Sequence, residues 1–364
     1  MLATLPARAD LESDLRDCAR HRSPLIGIAA CTRLIASGDL TISSEAVAHS
    51  NRGTRYQRLG RFQKALADLD RAIALKSDFQ PLYVKRGDIR AALAQNKGAL
   101  ADYTKALKIK RHPAIYIRRA QIYARLGQTG NSIGDHNRAI QLDPKRAHSY
   151  VERGIAVAKL RWNRRAVADF SKAIALNPRS YFAYLNRGLV YLGRKRYLTA
   201  IADFDRAAAI NPELPHAFFS RARAHAAKKK YRLALIDSSR AMRLQPKNAA
   251  YVFRRADIHR RMGKFGPAIY DYNQAIALNP KVAAYHHDRG AVFGQIGRHQ
   301  KAIADFTRAI EIAPKFTNAY INRARAHEAL KEIAAARRDF TAARALAPAD
   351  KRAHAGLRRL RRQR

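Results

Sequence analysis

Nine arginines recur through this chain, each with an aspartate sixteen residues further on. The arginines are Arg52, Arg86, Arg119, Arg153, Arg187, Arg221, Arg255, Arg289 and Arg323. The aspartates are Asp68, Asp102, Asp135, Asp169, Asp203, Asp237, Asp271, Asp305 and Asp339. A planar guanidinium can hold a carboxylate through two parallel hydrogen bonds. Two chemistries follow. Either each arginine pairs with an aspartate inside the fold, or nine cations face an acidic ligand. The matching recurrence of the aspartates favours pairing, within a unit or to its neighbour. Such a pair fixes geometry more than it adds stability, because desolvation offsets much of the attraction. Pairing would also engage nine of the 28 acidic residues and leave exposed surfaces still more basic.

The pairs belong to a unit of 34 residues that recurs nine times, with one step of 33. The copies start at Ala46, Gln80, Pro113, Ala147, Tyr181, Pro215, Ala249, Ala283 and Thr317, and the last ends at Asp350. Place 8 is always Gly or Ala, place 20 is Ala except for Ser132, place 27 is Ala throughout, and place 32 is Pro from the third copy on. An aromatic stands at place 24 except where Leu69, His136 and Ser238 replace it. Each unit holds two runs with apolar residues three and four apart, the spacing of a helix face. Small residues at 8, 20 and 27 let two helices approach closely, and the proline stops the second. One hairpin cannot bury its own apolar face; a stack of them makes a core.

This pattern resembles the tetratricopeptide repeat, which carries a small residue at 8, Ala at 20, an aromatic at 24, Ala at 27 and Pro at 32. The resemblance implies an all-α fold: a right-handed superhelical solenoid of some twenty helices in antiparallel pairs, without sheet. It also implies a non-catalytic scaffold that binds a protein or peptide in the concave groove. The expected organisation is an amino-terminal segment over 1–45, nine repeats over 46–350, and a basic capping helix or tail over 351–364. The CTRLI segment and the NRG after it are similar to the amino-terminal region of alpha-proteobacterial tetratricopeptide-array proteins, some of them exported.

In the resembled family the first helices line the groove, with places 2, 5, 9, 12 and 13 facing it. On that basis the groove candidates are Val151, Leu185, Phe219, Phe253 and His287 at place 5, Arg223, Asp257 and Arg325 at place 9, and Arg260 and Arg261 beyond them. Phe219 and Phe253 with the arginines suggest an aromatic and basic patch suited to an acidic or aromatic peptide. The alternative is that place 5 is half buried by the neighbouring helix. Some family members clamp a terminal carboxylate with Lys at 5 and Asn at 9. Here no place 5 is Lys and no place 9 is Asn, so that mode is not expected.

The chain carries 71 Lys and Arg against 28 Asp and Glu, a formal charge of +43. Such a charge attracts acidic proteins, nucleic acid or anionic surfaces; a basic proteome or solubility alone would account for it as well. Basic residues at place 26 (Arg71, Lys105, Arg138, Lys172, Arg206, Arg240, Arg308) suggest a second reading, direct nucleic-acid binding by a convex stripe. No motif for a nucleophile, a metal or a phosphate loop is present, so neither catalysis nor a cofactor is expected. No apolar run is long enough to span a membrane. A complete amino terminus would point to a cytoplasmic protein, and a removed leader to a periplasmic or exported one.

Residues 1 to about 17 are polar and weakly patterned. Pro24 to Ile35 reads as a helix opening on proline, like the second helix of a degenerate half-repeat, with Gly27 and Leu34 where alanines would stand. Cys18 and Cys31, the chain's two cysteines, flank this opening. They are either buried free thiols or, if Cys18 lies on an antiparallel helix, a disulfide. Leu357 and Leu360 could seat a final helix on the last repeat, with the tail's arginines facing water or a partner.

Overall fold

The computed structural model describes residues 8–361; the first seven residues and the last three of the basic tail lie outside the described residues. Within them are twenty-one α-helices and no strand. The chain divides into two compact units, residues 1–178 and 179–364.

The first unit holds α1 (Arg8–Arg20), α2 (Pro24–Ser37), α3 (Ile42–Arg58), α4 (Phe62–Leu75), α5 (Gln80–Ala92), α6 (Asn96–Ile109), α7 (Pro113–Arg125), α8 (Thr129–Leu142), α9 (Ala147–Lys159) and α10 (Asn163–Leu176). The second holds α11 (Tyr181–Gly193), α12 (Tyr197–Ile210), α13 (Pro215–Ala227), α14 (Tyr231–Leu244), α15 (Ala249–Arg261), α16 (Phe265–Leu278), α17 (Ala283–Gln295), α18 (His299–Ile312), α19 (Thr317–Ala329), α20 (Ile333–Leu346) and α21 (Lys351–Arg361). In each unit every helix packs on the next, as a solenoid of helix pairs requires.

The repeat residues explain the hairpin. Ala200 and Ala207 of α12 are fully buried beside Phe204. Gly188 of α11 lies directly under that ring, where an added Cβ would come within 2.6 Å of it. Between the helices, place 15 takes a left-handed backbone in all nine repeats. It is glycine at Gly60, Gly127, Gly263 and Gly297, but Ala94, Arg161, Lys195, Lys229 and Lys331 adopt it too. The next amide closes the turn on the first helix, as Arg196 N–H donates to the Tyr191 carbonyl at 2.9 Å.

The amino-terminal cap is a complete helix pair where the sequence suggested half of one. The polar start hides a short apolar stripe, Leu11, Leu15 and Cys18, at helical spacing, and Leu11 and Cys18 pack in a cluster with Cys31 and Leu34. Cys18 and Cys31 are joined as a disulfide between α1 and α2. Arg55 of α3 is buried across the cap and donates to the carbonyls of Asp17, Cys18 and His21 at 2.8 to 3.1 Å. Its side chain occupies the space a Cβ on Gly27 would need, which accounts for glycine there. At the other end Leu360 and Ala353 of α21 are fully buried, and Gly356 lies against the Phe340 ring. Arg359 is not free in water but holds Glu328 at 2.7 Å.

Candidate functional site: a cationic recess beside an internal ion-pair ladder

In all nine repeats the place-7 arginine meets the place-23 aspartate of its own hairpin, with closest N–O distances of 2.6 to 2.8 Å. The contact is two-pronged: Arg187 sets Nε and Nη2 on the two Asp203 oxygens at 2.9 and 2.7 Å. The aspartates are buried. In Arg86, Arg119, Arg153, Arg221, Arg289 and Arg323 the remaining nitrogen reaches back to place 25 of the preceding repeat, as Arg221 does to Asp205 at 2.6 Å and Arg289 to Asn273 at 2.7 Å. One guanidinium thus fastens a hairpin and ties it to its neighbour. The hydrogen bond to its aspartate outweighs burial and raises the Arg119, Arg187 and Arg323 guanidinium above the usual arginine range. These arginines are internal and cannot present themselves to a ligand.

The place-5 candidates are corrected by the structure. Val151 in the first unit and Leu185 in the second are buried. Phe219 packs its ring on Tyr251 at 4.9 Å, and Phe253 lies between Tyr272 and Tyr285 at 5.7 and 4.7 Å. The His287 ring rests on Phe306 and Phe316, and its nitrogens meet Asp288 and Asn322. The reason is angular. At about 100° per residue, place 5 falls between place 8, which meets the second helix, and place 9, so its side chains are covered in part or in full. The neighbouring face of the first helices carries places 2, 6, 9 and 13, of which Arg223 and Arg261 are exposed while Ser220 and Asp257 are buried.

That face forms a recess of about 440 Å³ between α11, α13 and α15. Its charged lining is Lys195, Arg223, Arg254 and Arg261; Leu189, Leu192, Ala226 and Ala227 supply an apolar wall, with Tyr197 at one side. Arg223 and Arg261 are exposed. Asp257, expected in the groove, is buried behind it, where it accepts from Arg254 at 3.3 Å, Arg260 at 2.5 Å and Arg261 at 2.9 Å. Arg260 is thereby turned toward Asp257. Three guanidiniums of one helix share a single carboxylate. Burial pushes the Arg254 guanidinium down, Asp257 offsets part of this, and nearby Arg223 and Arg261 push it further down. Arg254 and Arg260 each keep a buried Nε without a hydrogen-bond partner.

The repeat pattern points to Arg223, Asp257, Arg260 and Arg261 but not to Arg254 or Lys195. Place 6 varies as much as places 5 and 9, running through Lys85, Arg118, Glu152, Arg254 and Asp288. That variation was the available signal. Arg325 is exposed and lines a separate recess of about 360 Å³ with Gln295, His299 and Asn322.

The first unit treats its place-6 cations differently. Lys85 donates to Ser50 at 2.8 Å and Arg118 holds Asp88 at 3.0 Å. Of the place-26 residues, Arg71, Arg138, Arg240 and Arg308 hold Glu45, Asp135, Glu213 and Glu311. Among the described residues no group of three or more His, Cys, Asp or Glu could hold a metal, and no helix is long and apolar enough to cross a membrane.

Family models described as tetratricopeptide repeat or TPR repeat match residues 46–79, 113–146, 151–215, 256–297 and 283–316. RNA polymerase II-associated protein 3 of Xenopus laevis is 39% identical over 64 residues, 18% of this chain. The match spans 10% of that relative's length. Among solved structures, a chain of the APC/C hetero-tetramer Cut9–Hcn1 is similar with a TM-score of 0.56 at 15% identity, over 97% of this chain and 86% of that one. A tetratricopeptide repeat protein from Parabacteroides merdae gives 0.54 at 16%, over 68% and 98%. At these identities the likeness is one of fold.

Proposed function

We infer the function from one premise: the chain is a tetratricopeptide-repeat protein. It serves as a non-catalytic scaffold that binds a protein or peptide, and the partner segment is acidic. The observation that carries this reading is the recess of α11, α13 and α15, where four cations line the wall and none of the lining residues is acidic. A peptide carboxylate entering it would meet guanidiniums that now compete for Asp257. The CTRLI and NRG segments support a place among alpha-proteobacterial arrays.

Selection of short random peptides on the full chain tests this, with counter-selection on an Arg223→Glu, Arg261→Glu variant. Enrichment of acidic peptides that fail on the variant supports the scaffold. If nothing is enriched, while single-stranded DNA binds both proteins and is released steeply by salt, the nucleic-acid reading replaces it.

A further inference from the structure

We propose that the recess between α11, α13 and α15 is a phosphate site, which takes the phosphorylated side chain of a partner segment. The inference rests on the scaffold reading and specifies its ligand. Lys195, Arg223, Arg254 and Arg261 line the recess, and Arg260 stands behind it. Against these five cations the site holds one carboxylate, Asp257, which is buried and already engaged by three of them.

Charge arithmetic selects the ligand. A single carboxylate from a glutamate would leave most of the excess in place. A phosphate monoester carries about −1.5 to −2 charges near neutral pH and three strong acceptor oxygens. Guanidinium forks match those oxygens in pairs. Arg223, for which no carboxylate partner stands among the described residues, is free to swing onto them. Crowding supports the same choice: burial disfavours the charge on Arg254, Asp257 offsets part of this, Arg223 and Arg261 add to it, and an entering dianion would supply a further favourable partner. The recess exceeds a bare ion in size. Its wall of Leu189, Leu192 and Ala226 gives an apolar residue beside the phosphate somewhere to lie.

The experiment is calorimetry on the full chain at fixed ionic strength, with a blocked phosphoserine tripeptide flanked by leucines, its glutamate counterpart, and inorganic phosphate. The proteins are wild type, Arg223→Ala, and Arg344→Ala as a charge-matched control at an exposed site on α20. One phosphopeptide per chain should bind, about tenfold or more tighter than the glutamate peptide. Arg223→Ala should lose that preference and Arg344→Ala should keep it. Equal binding of the two peptides, or equal loss in both variants, overturns the phosphate site. Tighter binding of inorganic phosphate than of the phosphopeptide overturns its assignment to a partner side chain. If glutamate peptides bind through Arg223 with no preference for phosphate, the scaffold stands and this inference fails. If neither peptide binds, and the peptide selection finds nothing, both fail.

Discussion

Along the ladder each arginine has its own carboxylate. Arg153 puts Nε and Nη2 on the two oxygens of Asp169 at 3.0 and 2.6 Å, and Nη1 on Asn137 of the previous repeat. In the recess Arg254, Arg260 and Arg261 converge on Asp257 alone, and Arg223 stands exposed beside them. The residue types are the same; the stoichiometry is not. Pairs in which every arginine keeps a carboxylate of its own hairpin, even where a second arginine joins as Arg90 does at Asp102 and Arg138 at Asp135, hold hairpins in register. A cluster with too few carboxylates is, on the function proposed above, where an anion from outside would enter. A charge pattern therefore has to be read by counting partners, and the total of +43 does not distinguish the two uses.

The largest effect is expected at the ladder. Asp169→Ala leaves Arg153 half buried without its carboxylate, and should cost about 3–5 kcal/mol. Chemical unfolding followed by circular dichroism checks this. A loss below about 1 kcal/mol, the range of a surface pair, would mean the ladder is not structural.

A smaller effect is expected at His136, which stands at place 24 where most repeats carry an aromatic ring. Burial lowers its pKa from 6.5 to about 4, so the folded chain keeps it neutral while the unfolded chain takes up a proton. Its contribution is therefore absent as a penalty above pH 6.5 and grows as pH falls from 6.5 towards 4, to about 3 kcal/mol of lost stability. His136→Phe should flatten stability over that window. An unchanged pH profile would contradict the buried neutral histidine.

Smaller still is overpacking at Gly188, where Ala would press a methyl into Phe204; a loss of about 1–3 kcal/mol is expected in the same unfolding assay. The smallest is a gain. Ala94 holds a left-handed turn with φ 56°, so Ala94→Gly should raise stability by up to about 1 kcal/mol, where a loss would contradict the strain.

The fold was legible because its determinants repeat. Ala200, Ala207, Gly188 and Phe204 recur with the 34-residue step, and hairpin packing follows from their sizes. The arginine and aspartate pairs were legible for the same reason. The recess was only half legible, because it is unique. Arg223 and Arg261 could be named from their places, but the burial of Val151 and Leu185 depends on which face of the first helix meets its neighbours. Lys195 enters from a turn, where no helical period applies. The cap is only half legible because α1 is polar outside one short stripe, and because two cysteines alone do not reveal that their helices lie side by side.

The most direct test takes one variant and two readings. In Arg223→Ala with Arg261→Ala, both the unfolding midpoint and the affinity for a labelled octaglutamate peptide are measured on the same preparation. Asp257 keeps Arg254 and Arg260 in this variant. The expected result is an affinity about tenfold or more weaker with a midpoint unchanged or raised. Unchanged affinity, or a midpoint lowered as far as by Asp169→Ala, would contradict the division between arginines that build the fold and arginines that bind.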